Sequence, residues 1–136
     1  MKQQFRLAGL AEAWLPKPRQ YRAELEAALK AVGDEEELVT LFIAVAGRIA
    51  DGLVLVTDAR LVLSRFRLFR VRTVVRSIAF GEIERVDYED WGDYGREPFI
   101  RLTLVEGEAV VLTSTKTHAG RFRALADDLA RRVGQG

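Results

Sequence analysis

Apolar positions along the chain follow two different periods. At Tyr21, Leu25, Ala28, Leu29 and Val32 they recur at i, i+4, i+7, i+8 and i+11, which lines one side of a helix over 19–32. A shorter helical piece spans 4–14. Pro16 and Pro18 separate the two, because proline lacks an amide hydrogen and pushes the residue before it out of the α region. Gly33-Asp34 closes the second helix, and Glu35, Glu36 and Glu37 read as a solvated junction. Near the other end, Phe122, Leu125, Ala126, Leu129, Ala130 and Val133 restore the helical period and predict a helix over 117–133. Thr117 is its candidate N-cap and Gly134 its candidate C′ residue. Arg131 and Arg132 are placed favourably against the negative end of the helix dipole.

Between Leu38 and Ser114 the segments shorten to strand length. Stretches rich in Val, Ile, Leu, Phe and Thr at 38–47, 52–57, 60–67, 70–79, 85–90, 98–105 and 109–114 are bounded by turn residues. Thr57-Asp58-Ala59-Arg60 and Glu106-Gly107-Glu108 form tight turns, and 90–98 forms a longer loop. No helical crossover separates the segments, so they predict a seven-stranded antiparallel barrel or orthogonal sandwich and not a parallel sheet. The C-terminal helix must bury one face, and the open end of the barrel is its simplest partner.

Composition narrows the chemistry. The chain has 136 residues, 49% hydrophobic and 30% charged, the balance of one globular domain. It has no cysteine, which excludes disulfides, thiolate metal sites and thiol catalysis. Its one histidine, His118, excludes a multi-histidine metal centre. It lacks a phosphate-binding glycine loop, a dinucleotide fingerprint and a zinc-protease motif. A non-catalytic protein without cofactor or metal is expected. Glu12 interrupts the apolar stretch of the N-terminus, and no small-residue cleavage site follows, so that stretch reads as an amphipathic helix and not a signal peptide. No apolar run approaches the roughly 18 residues of a membrane span, and a cytoplasmic location is expected.

Two segments carry a family resemblance. Residues 52–63, GLVLVTDARLVL, are similar to the G-x-L-x-L-T-x-x-R-L-x-F hairpin of bacterial pleckstrin-homology-like and GRAM-like domains. Residues 77–88, SIAFGEIERVDY, resemble the I-P-x-x-D-I-x-S-V segment that follows it in those proteins. The hairpin over 99–113 and the helix over 117–133 then fall in the expected order, so the resemblance covers about 38–133 and is best to the YokE-like bacterial group. Ala59 and Gly81-Glu82 depart from the usual charged residue and Asp. The resemblance implies a mainly β, α+β fold: a seven-stranded barrel over 35–136 capped by a C-terminal helix, after an N-terminal helical extension over 1–34. It also implies a binding platform and not an enzyme. The eukaryotic phosphoinositide site of such domains uses several spaced basic residues in the first hairpin loop. Near 47–52 this chain has only Arg48 beside Asp51.

Charge is distributed unevenly around a net charge of +1. Arg60, Arg65, Arg67, Arg70, Arg72 and Arg76 occupy a window without acids, and an acidic block from Glu82 to Glu97 follows. Arg makes up 17 of the 21 basic residues, a bias that dilutes the meaning of any single Arg. Strand parity places Arg65 and Arg67 with Arg70, Arg72 and Arg76 on one outer face if the turn sits at Leu68-Phe69. Like charges across a ladder repel, so either nearby acids such as Glu82, Glu84 and Glu89 or an anionic partner must offset them. An apolar tip of Leu68 and Phe69 inside an arginine collar has the composition of a contact with anionic phospholipid. Nucleic acid is disfavoured, because the arginines lack interleaved exposed aromatics.

Trp91 and Tyr94 sit in an acidic loop that does not match a calcium-binding pattern and are expected to fasten the loop or touch a partner. Phe5, Leu10, Trp14 and Tyr21 form a further apolar stripe, which packs on its own barrel, mediates self-association or holds another chain. The expected function is a protein-binding or self-associating module. The alternative is peripheral attachment to anionic lipid at the inner face of the membrane through 65–76.

Overall fold

A computed structural model describes residues 2–15, 21–45, 51–67, 72–90, 97–115 and 119–134. Side chains at 2, 45, 51, 65–67, 72–74 and 119 fall outside the description. Helices α1 (Lys2–Trp14) and α2 (Arg22–Lys30) precede seven strands: β1 (Leu38–Val45), β2 (Asp51–Thr57), β3 (Arg60–Arg67), β4 (Arg72–Ala79), β5 (Ile83–Glu89), β6 (Phe99–Leu104) and β7 (Ala109–Ser114). Helix α3 (Phe122–Arg132) follows. The strand order is β4-β3-β2-β1-β7-β6-β5, and the pairings that join β2 to β3, β5 to β6, β6 to β7 and β1 to β7 are antiparallel. The expected seven-stranded antiparallel architecture with a C-terminal helix is therefore present. No helix among the described residues is long and apolar enough to cross a membrane.

The chain forms two compact units. One holds α1, α2, most of β1, then β2, β3 and most of β4. Its core joins Leu7, Leu10 and Ala11 of α1 and Ala28 of α2 to Leu41, Leu53, Leu55 and Val62 of the strands. Leu53 pairs with Ser64 and Leu55 with Val62, so these four stand on the face of the sheet that the helices cover. Val54, Val56, Leu61 and Leu63 are buried on the opposite face. Hydrophobic burial drives this arrangement, at about 1.5–3 kcal/mol for each fully buried leucine or valine. It also corrects one expectation: Leu61 and Leu63 share parity with Arg65 and Arg67, the side that alternation assigned to water, yet both are buried, while the helices pack on the other face at Val62.

The turn between β2 and β3 is held by one hydroxyl. Thr57 Oγ1 accepts the N–H groups of Ala59 (3.1 Å) and Arg60 (3.0 Å). Threonine suits this position because its side chain imitates a backbone turn. Helix α2 is shorter than the 19–32 period indicates: it runs from Arg22 and is capped at Ala31, whose N–H reaches the Ala28 carbonyl.

The other unit holds the end of β1, β5, β6, β7 and α3. Here alternation is strict. Ile100, Leu102 and Leu104 of β6 and Val110 and Leu112 of β7 are buried, while their neighbours reach solvent. Helix α3 packs on β5 and β6 and buries Phe122, Leu125, Ala126 and Leu129. Strand β5 begins at Ile83, two residues before its expected start, because an irregularity between Ile83 and Arg85 keeps Ile83 paired with Leu104. Gly107 has φ +105° in the turn between β6 and β7, a conformation that costs glycine nothing. Gly134, at φ +83°, donates to the Arg131 carbonyl and closes α3 as expected. The N-terminal expectation needs correction: a 3₁₀ turn, Ala119–Arg121, precedes α3, so the cap position is Arg121 and not Thr117. Thr117 and His118 lie outside the described residues.

Candidate functional site

The arginine-rich segment is only partly within the described residues. Arg65 and Arg67 stand in β3 and Arg72 in β4, where their backbone is described but their side chains are not. Leu68, Phe69 and Arg70 lie outside the described residues, as do Trp91, Tyr94 and Arg48. Arg76 is described and exposed on β4.

Arg60, the first arginine of the basic block, meets an acid that the local sequence did not suggest. Its Nη2 lies 2.6 Å from Glu36 Oε1, and its Nη1 donates to Ser77 Oγ at 3.2 Å. Glu36 therefore departs from the expectation of a solvated acidic junction: its side chain is 11% exposed, while Asp34, Glu35 and Glu37 face water. The junction is fastened on both flanks. Gln3 Nε2 donates to the carbonyls of Gly33 (2.7 Å) and Glu36 (2.9 Å). The Glu37 N–H donates to Asp58 Oδ1 (3.1 Å), and the Asp58 N–H returns to the Glu37 carbonyl (3.0 Å). Glu82 and Glu84, named above as counter-charges, are exposed, and Glu89 lies 4.0 Å from Arg101.

The edge of the sheet offers a different kind of site. Among the described residues, strand β4 ends the strand order, with a strand neighbour on the β3 side alone. Val75, Arg76 and Ser77 are exposed in succession, so neither face of the strand is covered there. Val75, at 36%, is one of the large apolar side chains that reach water among the described residues. A terminal strand carries backbone N–H and C=O groups that an extended segment can pair with.

The N-terminal stripe divides in two. Leu10 is buried with Leu7, Ala11 and Leu15, whereas Phe5 is 79% exposed. Five residues advance about 1.4 turns along a helix, which leaves Phe5 and Leu10 about 140° apart around its axis, on different faces. Trp14 is exposed at 39%, and Tyr21 packs half-buried against the core. Glu24 is a feature that the composition did not single out. It is 6% exposed, and its Oε2 is buried without a hydrogen-bond partner. Its spacing of four from Ala28 was the available signal, because both stand on the inward stripe of α2.

Burial shifts two ionisable groups, Tyr88 of β5 and Arg121 beside α3. Burial raises the Tyr88 pKa above the ordinary tyrosine value, and the nearby Asp90 carboxylate adds to the shift. Tyr88 therefore stays protonated at neutral pH, with its hydroxyl 3.4 Å from Asp90 Oδ2. The Arg123 guanidinium lies 5.8 Å from the Tyr88 ring centre and joins α3 to β5. Burial lowers the pKa of Arg121, which is too basic for this to remove its charge. Among the described residues, no three His, Asp or Glu side chains gather as a metal site would need.

Comparison with known proteins places this geometry. No family model and no curated protein matches the chain. Solved structures do. A pleckstrin homology domain from Shewanella amazonensis superposes with TM-score 0.58 at 19% identity, over 79% of this chain and 83% of that one. A protein of a family of unknown function with a pleckstrin-homology domain, from Shewanella loihica, gives TM-score 0.61 at 15% identity, over 79% and 88%. The DH/PH fragment of PDZRhoGEF, in a complex with human RhoA, gives TM-score 0.52 at 16% identity, over 97% of this chain and 39% of that one. The fold is pleckstrin-homology-like.

Proposed function

We propose that this chain is a non-catalytic binding module that takes a protein segment along the exposed edge of β4. The observation that carries the reading is the run Val75-Arg76-Ser77, exposed on a strand that ends the sheet order. An added strand gains affinity from main-chain hydrogen bonds, and an exposed valine gives it an apolar contact. The fold supports this reading: a pleckstrin-homology-like scaffold also stands in the PDZRhoGEF fragment that is held in a complex with RhoA. The motifs at 52–63 and 77–88 favour the YokE-like bacterial group within that fold.

The test is photocrosslinking in cells, with a benzophenone-bearing phenylalanine at position 75. The expected product joins this chain to a protein, whether another species or a second copy. Absence of any protein adduct overturns the reading. So does salt-sensitive sedimentation with phosphatidylserine vesicles that is lost when Arg65, Arg67, Arg70 and Arg72 are changed to Glu and is not accompanied by protein adducts. That outcome assigns the module to anionic lipid.

A further inference from the structure

We propose that α1 is a self-association surface, which pairs antiparallel with α1 of a second copy about a two-fold axis. The buried side of α1 is Leu7, Leu10 and Ala11. On the opposite side, positions 2, 5, 9 and 12 follow the three–four spacing of a coiled-coil seam. Phe5 stands on that seam with 79% of its surface in water, the most exposed large apolar side chain among the described residues.

The seam is complementary to itself. An antiparallel alignment that sets Phe5 level with Gly9 of the second copy sets Gly9 level with Phe5 in return, as a two-fold interface requires. Gly9 is exposed, and nothing stands within 4 Å of where its Cβ would be. No contact within the chain calls for a glycine there, although glycine weakens a helix interior relative to alanine. A ring from a second copy is an occupant that would use the space. Ala8, beside the seam, borders an apolar groove of about 420 Å³ that Leu25 and Leu29 also line, which extends the surface available to the ring.

Charge selects the orientation. The first half of α1 carries Lys2 and Arg6 and no acid, and the second half carries Glu12 and no base. Both placements oppose the dipole of an isolated helix. An antiparallel partner reverses the relation: Glu12 of each copy comes level with the basic first turn of the other. A parallel pair would set like charges together. The same alignment that joins Phe5 to Gly9 joins position 12 to position 2, so packing and charge agree on one register.

The contact is small. Thirteen residues rise about 20 Å, and a pair of such helices falls short of the roughly 800 Å² per partner of a standard interface. The dimer is therefore weak and concentration-dependent. This surface is separate from the β4 edge and stands or falls without it.

Sedimentation velocity from about 10 μM to about 1 mM reads the equilibrium. The full chain should shift from monomer toward dimer over that range. Phe5→Asp and Gly9→Leu should each weaken association at least about tenfold. Gly9→Leu should do so while raising the melting temperature of the monomer, because leucine is the better helix former. Glu12→Lys should weaken association, and adding Lys2→Glu should restore it. Far-UV circular dichroism checks that each variant is folded. A chain that stays monomeric throughout, or Phe5→Asp and Gly9→Leu variants that associate like the parent, overturns the proposal. Crosslinking from position 75 that persists in Phe5→Asp leaves the β4 reading intact whatever the dimer does.

Discussion

Glu36 and Arg60 face each other across 2.6 Å, one from the segment that joins the helices to the sheet and the other from the first residue of β3. Arg60 also reaches Ser77, so this one guanidinium connects the helix–strand junction, β3 and β4. Its Nε and the Glu36 Oε2 are buried without hydrogen-bond partners, so the pair depends on its one short contact.

Removing both partners should therefore cost less than the sum of removing each alone. Arg60→Met leaves a carboxylate that is 11% exposed without its counter-charge. The expected loss is about 2 kcal/mol, below the 3–5 of a fully buried pair, because Arg60 is itself one-third exposed. Glu36→Gln should cost about 1 kcal/mol. The double variant should recover part of the loss, with a coupling of about 1 kcal/mol in a double-mutant cycle read by urea denaturation. Additive losses would show that the pair is incidental.

Two phenylalanines on helices should respond in opposite ways to truncation. Phe122 is fully buried on α3, and Phe122→Ala should lower stability by about 3–5 kcal/mol, because it removes a large side chain and leaves a cavity. Phe5→Ala, on the outer side of α1, should leave the stability of the dilute monomer within about 0.5 kcal/mol of the parent. Thermal unfolding at low micromolar concentration compares them directly.

Tyr88 should ionise above the ordinary tyrosine range. Burial is the first cause and Asp90 the second, while Arg123 acts in the opposite direction. Asp90→Asn should move the Tyr88 titration down, and Arg123→Ala should move it up, as read from phenolate absorbance against a Tyr88→Phe control. A pKa raised in the folded state contributes stability that is complete below about 10, the unfolded value, and fades as pH rises through the folded value. The parent should therefore lose stability in strong base more steeply than Tyr88→Phe. Equal slopes would remove Tyr88 from the account.

Strands β3 and β7 match the expected 60–67 and 109–114 in both limits, and β1, β2, β5 and β6 match within about two residues. Turn chemistry is the reason: Thr57 and Gly107 act through bonds to their immediate neighbours, which a sequence displays. The candidate surfaces were less legible. Phe5 was visible as an apolar residue of an N-terminal stripe, but its separation from Leu10 needed the helix laid against the core. Val75 gave no signal, because nothing in a strand's composition marks it as the end of a sheet.

The order of helices and strands was determined by the sequence alone, because periodicity and turn-forming residues act over a few bonds. Which faces meet water was decided by tertiary structure. Val62 is buried on the face of β3 where α1 and α2 pack, Leu61 and Leu63 are buried on the other, and no period within β3 contains that information. Glu36 meets Arg60 for the same reason: an ion pair depends on separation in space, and 24 residues of chain must fold before the two charges come together.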